Sequence, residues 1–254
     1  MKKNVNYSSL NNRKSFTLLE ILVVVAIIGI LASMLLPTLG NARKKAKIAV
    51  CTSQIKQVNL ALLMYTDDSN DYFPTGSTGN VTWDNLIAGY DGRGSLTAAQ
   101  QAQGVQLKSV YGDEYGQIYR CPLFNETSYT IIREDYIPMT YALNRGVDGN
   151  PGYMGVAGTN YSRRVMDIAN PDTAMILGEY YRNRYSYMGN NVWTLISMAN
   201  YRTAINDSLN EGNKEMHDDR QSFLFADGHI EKLSRDSIWV PYNDVRESLW
   251  DTEK

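Results

Sequence analysis

Residues 13–37 read RKSFTLLEILVVVAIIGILASMLLP. From Phe16 to Leu36 the run is apolar except for Thr17, Glu20, Gly29 and Ser33. As a helix these residues would extend roughly 31 Å, the thickness of a bilayer core. They are apolar on every face, as a lipid-surrounded helix must be. One carboxylate, Glu20, stands inside this span. An ionised group there costs about 2.5–3.5 kcal/mol on insertion scales, so such residues usually have a partner and a function. No Lys or Arg lies within the span to serve. A cut just before Phe16 would supply a cation, the new α-ammonium, and would leave Glu20 one turn from a helix N-terminus.

Charge divides the chain in the same way. Residues 1–15 carry Lys2, Lys3, Arg13 and Lys14 with no acid, residues 16–66 are net +4, and the rest is net −10. The basic stretch next to the span suits anionic lipid headgroups. The acidic remainder lacks the basic face that nucleic acid requires. An ordinary secretory signal has a shorter core and a small-residue cleavage site; Ala32 offers only a poor one.

Beyond the span the apolar period changes. Ile48, Cys51, Ile55, Val58, Leu62 and Tyr65 are spaced 3, 4, 3, 4 and 3, a stripe on one helical face. A single helix over about residues 16–67 is expected, kinked at Pro37, its first half in lipid and its second packed on a domain. The division that follows is a leader at 1–15, a transmembrane half at 16–36, an amphipathic stem at 37–67 and a head at 68–254. Asp67, Asp68 and Asp71, with Asn70, offer oxygens of the kind calcium takes, but without the EF-hand order or its central Gly. A solvated loop is the expectation there.

The head is rich in Tyr, Gly and Asn. Residues 89–117 read as polar loop, and strands are expected at Tyr136–Leu143, Thr173–Gly178, Trp193–Ala199, Ser222–Ala226 and His229–Leu233. Asp227-Gly228 between the last two predicts a two-residue type I′ hairpin turn. The two cysteines, Cys51 and Cys121, form no CxxC or Cys/His cluster, so no structural zinc site is expected. One disulfide and two buried thiols both fit the residues. Placed in an oxidising compartment, with Cys51 facing the head, a Cys51–Cys121 disulfide is the expectation. No GxSxG, HExxH, P-loop or dinucleotide fingerprint is present, so an enzyme has least support; carboxylate pairs distant in the chain leave glycoside hydrolysis open.

The basic leader, Phe16-Thr17-Leu18-Leu19-Glu20 and the apolar helix through Pro37 resemble the prepilin leader of type IV pilins and of type II secretion pseudopilins. That resemblance implies cleavage between Ser15 and Phe16 by a prepilin peptidase, with methylation of the Phe16 amine. It also implies that Glu20 pairs with the Phe16 amine of a neighbouring subunit on assembly. The family usually has Gly before the cut, where this chain has Ser15. Residues 51–74, Cys121-Pro122 and His217 followed after nine residues by Asp227-Gly228 are similar to landmarks of a pseudopilin-like family with an H-X9-DG signature.

An α+β pilin-like fold is implied, a long N-terminal helix laid on an antiparallel sheet, with no cofactor. The implied function is that of a pseudopilin subunit of a filament for type II-type secretion. A type IV pilus subunit or a non-polymerising membrane-anchored binding domain is the alternative. Implied partners are the prepilin peptidase, other pilin-like subunits, an inner-membrane assembly platform and membrane lipid, but no nucleic acid. The implied location is a single pass of the bacterial inner membrane with the head outside the cytoplasm. His217 is expected to brace the C-terminal hairpin; His217, Asp219 and Asp227, with Asp218 and His229 near, are the alternative reading as a metal site.

Overall fold

The computed structural model describes residues 16–104, 106–124, 135–146, 155–180, 188, 195–197, 217–218, 220–234 and 237. The chain forms two compact units, Met1–Lys45 and Ala46–Lys254.

The first helix, α1 (Leu18–Asp68), runs unbroken through Pro37. Pro37 has no N–H to give the Ser33 carbonyl four residues earlier. The helix is nonetheless assigned on both sides of it, so one missing hydrogen bond does not end the element. In the first unit, all the residues of the apolar run from Phe16 to Leu36 are exposed. By length and composition this helix can cross a membrane.

In the second unit the same helix buries Ile48, Cys51, Ile55, Val58, Ala61, Leu62 and Thr66. This is the expected stripe, with Tyr65 packed against the core at its edge. The helix ends where Asp71 N–H reaches back to the Thr66 carbonyl, with Asn70 at φ 54°. That is a Schellman-type ending with Asn in the left-handed position usually held by Gly. The acidic turn is thus explained as a helix stop, and Asp68 accepts the Tyr90 hydroxyl (2.8 Å).

A five-stranded sheet, ordered β7-β3-β6-β8-β9, carries the head. Its strands are β3 (Tyr141–Gly146), β6 (Met175–Glu179), β7 (Leu195–Ser197), β8 (Arg220–Phe225) and β9 (Ile230–Ser234). Each overlaps an expected strand. The pairings β3–β6, β6–β8 and β8–β9 are antiparallel, whereas β3–β7 is parallel. The chain leaves β6 and comes back in the opposite direction, as in an antiparallel sheet, but β7 lies on the far side of β3 and so runs parallel to it. β6 is central, and all five of its residues are buried. Ile55, Val58, Ala61 and Leu62 of α1 share one core cluster with Tyr141, Leu143, Ile176, Leu177 and Leu224 of the sheet. Gly178 faces Phe223 across the β6–β8 pair, and a Cβ there would stand 2.7 Å from the Phe223 ring. The aromatic ring therefore occupies the space that a side chain would need.

The two-stranded hairpins β1 (Ser77–Thr78) with β2 (Val81–Thr82), and β4 (Ala157–Gly158) with β5 (Tyr161–Ser162), were not anticipated. Nor were the short helices α2 (Trp83–Leu86), α3 (Ala98–Ala102) and α4 (Lys108–Tyr111). The last two interrupt the expected loop at 89–117. The cause of α3 is local: Thr97 and Gln100 form a capping box. Arg93 fixes the preceding loop from inside, pairing with Asp91 (2.7 Å from Nε) and donating to the Asp84 carbonyl. Its guanidinium also lies over the Tyr115 and Tyr119 rings.

The C-terminal hairpin differs from its expected form. Phe225 N–H donates to the His229 carbonyl and Gly228 N–H to the Phe225 carbonyl (2.9 Å). Gly228 has φ 90°, while Asp227 is not among the residues of positive φ. A type I′ turn needs positive φ at both central residues, so this is a three-residue loop, Ala226–Gly228, closed by a left-handed Gly. A Cβ on Gly228 would also meet the Asn59 amide at 3.3 Å. Gly228→Val is expected to lower the stability of the chain by about 1–3 kcal/mol through backbone strain. Thermal melts of the full chain in detergent check this; a melt matching wild type would contradict the left-handed turn.

Candidate functional site

Two places gather the residues singled out in the sequence, one in each unit. At the start of α1, Thr17 N–H donates to Glu20 Oε2 (2.8 Å) and the Thr17 hydroxyl donates to the same oxygen (3.0 Å). In return Glu20 N–H donates to Thr17 Oγ1 (3.2 Å). This is a capping box, satisfying two backbone donors that a helix start leaves orphaned. The Thr-x-x-Glu spacing was legible in the sequence and went unread as a cap. Phe16 precedes it, 78% exposed. Ser15 lies outside the described residues. Glu20 is thus held at the first turn of the helix, next to the junction where a new amine would form.

The second place is inside the head. Cys51 comes from α1, Cys121 from the loop after the 3-10 turn Gln117–Tyr119, Glu179 from the end of β6 and His217 from just before β8. All four are buried, and their ligand-type atoms lie within 4.8 Å of one another. His217 Nε2 is 3.1 Å from Cys121 Sγ, 3.8 Å from Cys51 Sγ and 3.6 Å from Glu179 Oε1. Ser222 N–H donates to Glu179 Oε2 (2.7 Å), and Leu123 N–H donates to Cys121 Sγ (3.4 Å). Tyr141, opposite Glu179 in the sheet, donates its hydroxyl to Gln54 Oε1 (2.9 Å) beside Cys51.

Burial dominates the electrostatics here. It pushes the Glu179 carboxyl up to about 7, against the pull of the His217 imidazole. The hydrogen bond with Cys121, and then burial, raise the Cys51 thiol. For His217, burial pulls down, but the Cys121 hydrogen bond and the Glu179 charge outweigh it and leave the imidazole raised.

Several expectations change at this point. Cys51 and Cys121 are both buried and are not joined by a disulfide in this structure. The reason is visible in their contacts: both sulfurs face the same imidazole nitrogen, in a group of four polar side chains. His217 sits apart from the Asp227-Gly228 turn. It stands before β8, whose six residues place it roughly 20 Å from the turn at the strand's other end. Asp227 therefore cannot share a metal with His217. It accepts instead from His229, from the backbone N–H (3.0 Å) and at Nδ1 (2.6 Å), with the His229 ring stacked on Phe225. The His229 N–H chiefly holds the Asp227 carboxyl below its usual range. Asp219 lies outside the described residues. Glu179 was missed; its one signal was an acid ending an apolar strand, Met175–Glu179.

Comparison with known proteins bears on the first place. A family model described as the prokaryotic N-terminal methylation motif matches residues 10–36. The type IV wide pilus major component PilA4 of Thermus thermophilus is 44% identical over 63 residues, which are 25% of this chain and 48% of that protein. The type II secretion system core protein G of Escherichia coli is 42% identical over 69 residues, 27% of this chain and 47% of that protein. Its counterpart in Pectobacterium carotovorum is 43% identical over 60 residues, 24% and 38% respectively. The chain spans about half the length of the curated relatives it matches, or less. No solved structure matches. These relatives are pilin and pseudopilin subunits, and with the apolar helix they suggest a membrane anchor.

The capping box makes a distinction between cap and charge. Glu20→Gln keeps an oxygen to accept the Thr17 N–H, since Gln serves in a capping box, but removes the negative charge. Glu20→Val removes both. Circular dichroism of the full chain in micelles should show wild-type helix content for Glu20→Gln and a loss at the first turn for Glu20→Val. Cross-linking in membranes should show reduced oligomers for both. An oligomer ladder unchanged in Glu20→Gln would mean that the charge is not used in assembly.

Proposed function

We propose that this chain is a pseudopilin-type subunit, cut between Ser15 and Phe16 by a prepilin peptidase, methylated at Phe16 and assembled through α1 into an envelope filament for type II-type secretion. The observation that carries this reading is Glu20. It is the one acid of an otherwise apolar span, it is held at the helix start by Thr17, and it lies within the matched methylation motif. In a low-dielectric layer such a carboxylate calls for a cation at its own depth. The Phe16 ammonium of a neighbouring subunit, freed by the cut, supplies it.

In this reading residues 1–15 are the leader, 16–36 the membrane half of the helix and 37–67 the stem. The head faces away from the cytoplasm, and the inner-membrane assembly platform and lipid are the further partners. The role is structural rather than catalytic. The likeness to PilA4 supports a second reading, a type IV pilus subunit, which shares the same processing and the same Glu20 pairing.

The N-terminus of the mature chain tests the proposal. In cells with an active prepilin peptidase, intact-mass and terminal-peptide spectrometry should find a chain beginning at N-methyl Phe16. A chain beginning at Met1, or one cut after Ala32, would overturn it.

A further inference from the structure

The buried group in the head has the composition and spacing of a metal centre. A tetrahedral zinc ion bound at 2.0–2.3 Å has ligand atoms roughly 3.3–3.8 Å apart. His217 Nε2 already stands 3.1, 3.8 and 3.6 Å from Cys121 Sγ, Cys51 Sγ and Glu179 Oε1. The widest separation among the four atoms is at most 4.8 Å, so closing on an ion needs a movement of roughly 1 Å. A second observation is independent of these distances. Glu179 is fully buried, and among the described residues its Oε1 accepts no hydrogen bond, while Oε2 is anchored by the Ser222 N–H. A carboxylate with one oxygen tied down and the other turned into a group of thiols and imidazole is oriented as a monodentate ligand. The Leu123 N–H on Cys121 Sγ is likewise an outer contact that favours a thiolate.

We infer that Cys51, Cys121, Glu179 and His217 bind one divalent zinc ion as a closed structural site. Two thiolates, one imidazole and one carboxylate form a soft-to-borderline donor set, which suits zinc better than the all-oxygen metals calcium and magnesium. A dication offsets most of the charge of two thiolates and a carboxylate that would otherwise be buried without a counter-ion. The ligands fill all four positions and none is exposed, so no place remains for a reacting water, and the site is structural rather than catalytic. It ties the stem of α1 to the loop after Tyr119, to central strand β6 and to the segment entering β8. His217 of the H-X9-DG spacing thereby has a role separate from the Asp227-Gly228 turn. The four ligands stand at 51, 121, 179 and 217, so no short spacing in the sequence announces them.

The test uses the full chain in detergent, without a histidine tag and kept reduced, so it does not depend on filament assembly or processing. As isolated without chelator, it should hold about one zinc per chain by elemental mass spectrometry. Cobalt added to the metal-free wild type should give thiolate-to-cobalt charge-transfer absorption and the visible bands of a tetrahedral site. At equal cobalt these bands should fall about tenfold or more in Cys51→Ser, Cys121→Ser, His217→Ala and the near-isosteric Glu179→Gln. Zinc should also raise the melting temperature of the wild type, and a chelator should reverse the rise. The wild-type spectrum decides even if a variant fails to fold. Reduced wild type that gives no thiolate–cobalt band would overturn the assignment. So would bands undiminished in the cysteine variants, or a Cys51–Cys121 disulfide in chain alkylated at lysis without reductant.

Discussion

Burial of one face of α1 is the constraint on which the head depends. Ile55, Val58, Ala61 and Leu62 are buried, and they supply the helix side of a core whose other side is the sheet. Fully burying a side chain such as Ile55, Val58 or Leu62 contributes about 1.5–3 kcal/mol. The sheet answers with Ile176 and Leu177 of the central strand and with Leu224 of β8. Residues of the same helix toward its start follow another rule. They show no continuous polar face, the pattern of a helix long and apolar enough to cross a membrane.

The buried polar group sits at one end of this packing, and the core explains why it matters. Glu179 and His217 are inside a region that otherwise excludes water, where an uncompensated charge is expensive. Thr140, Tyr141, Gln54 and Ser222 surround the group with backbone and side-chain hydrogen bonds. An apolar replacement of the four residues would be simpler if packing alone were at issue. Their convergence from four separate elements is the observation that sets this head apart from a plain helix-on-sheet core.

The matches to PilA4 and to the type II secretion core proteins cover about a quarter of this chain. In the head, short hairpins, short helices and the loop pinned by Arg93 build a surface with its own composition, rich in Tyr, Gly and Asn.

The sequence by itself determined what depends on period and on local chemistry. An apolar run gave a helix long enough to cross a membrane, a 3-4 stripe gave the stem and its buried face, and runs of apolar residues between turn signals gave the strands. Thr97 with Gln100, and Thr17 with Glu20, would have given two helix starts, because a capping box is written in four residues. Tertiary structure alone decided what depends on distant neighbours. The parallel pairing of β7 follows from which edge of β3 the chain returns to. The three-residue loop at Gly228 follows from the register of β8 with β9, which Asp-Gly by itself does not fix. The meeting of Cys51, Cys121, Glu179 and His217 depends on the packing of helix on sheet. Residues up to 166 positions apart become neighbours there, and no local spacing encodes that.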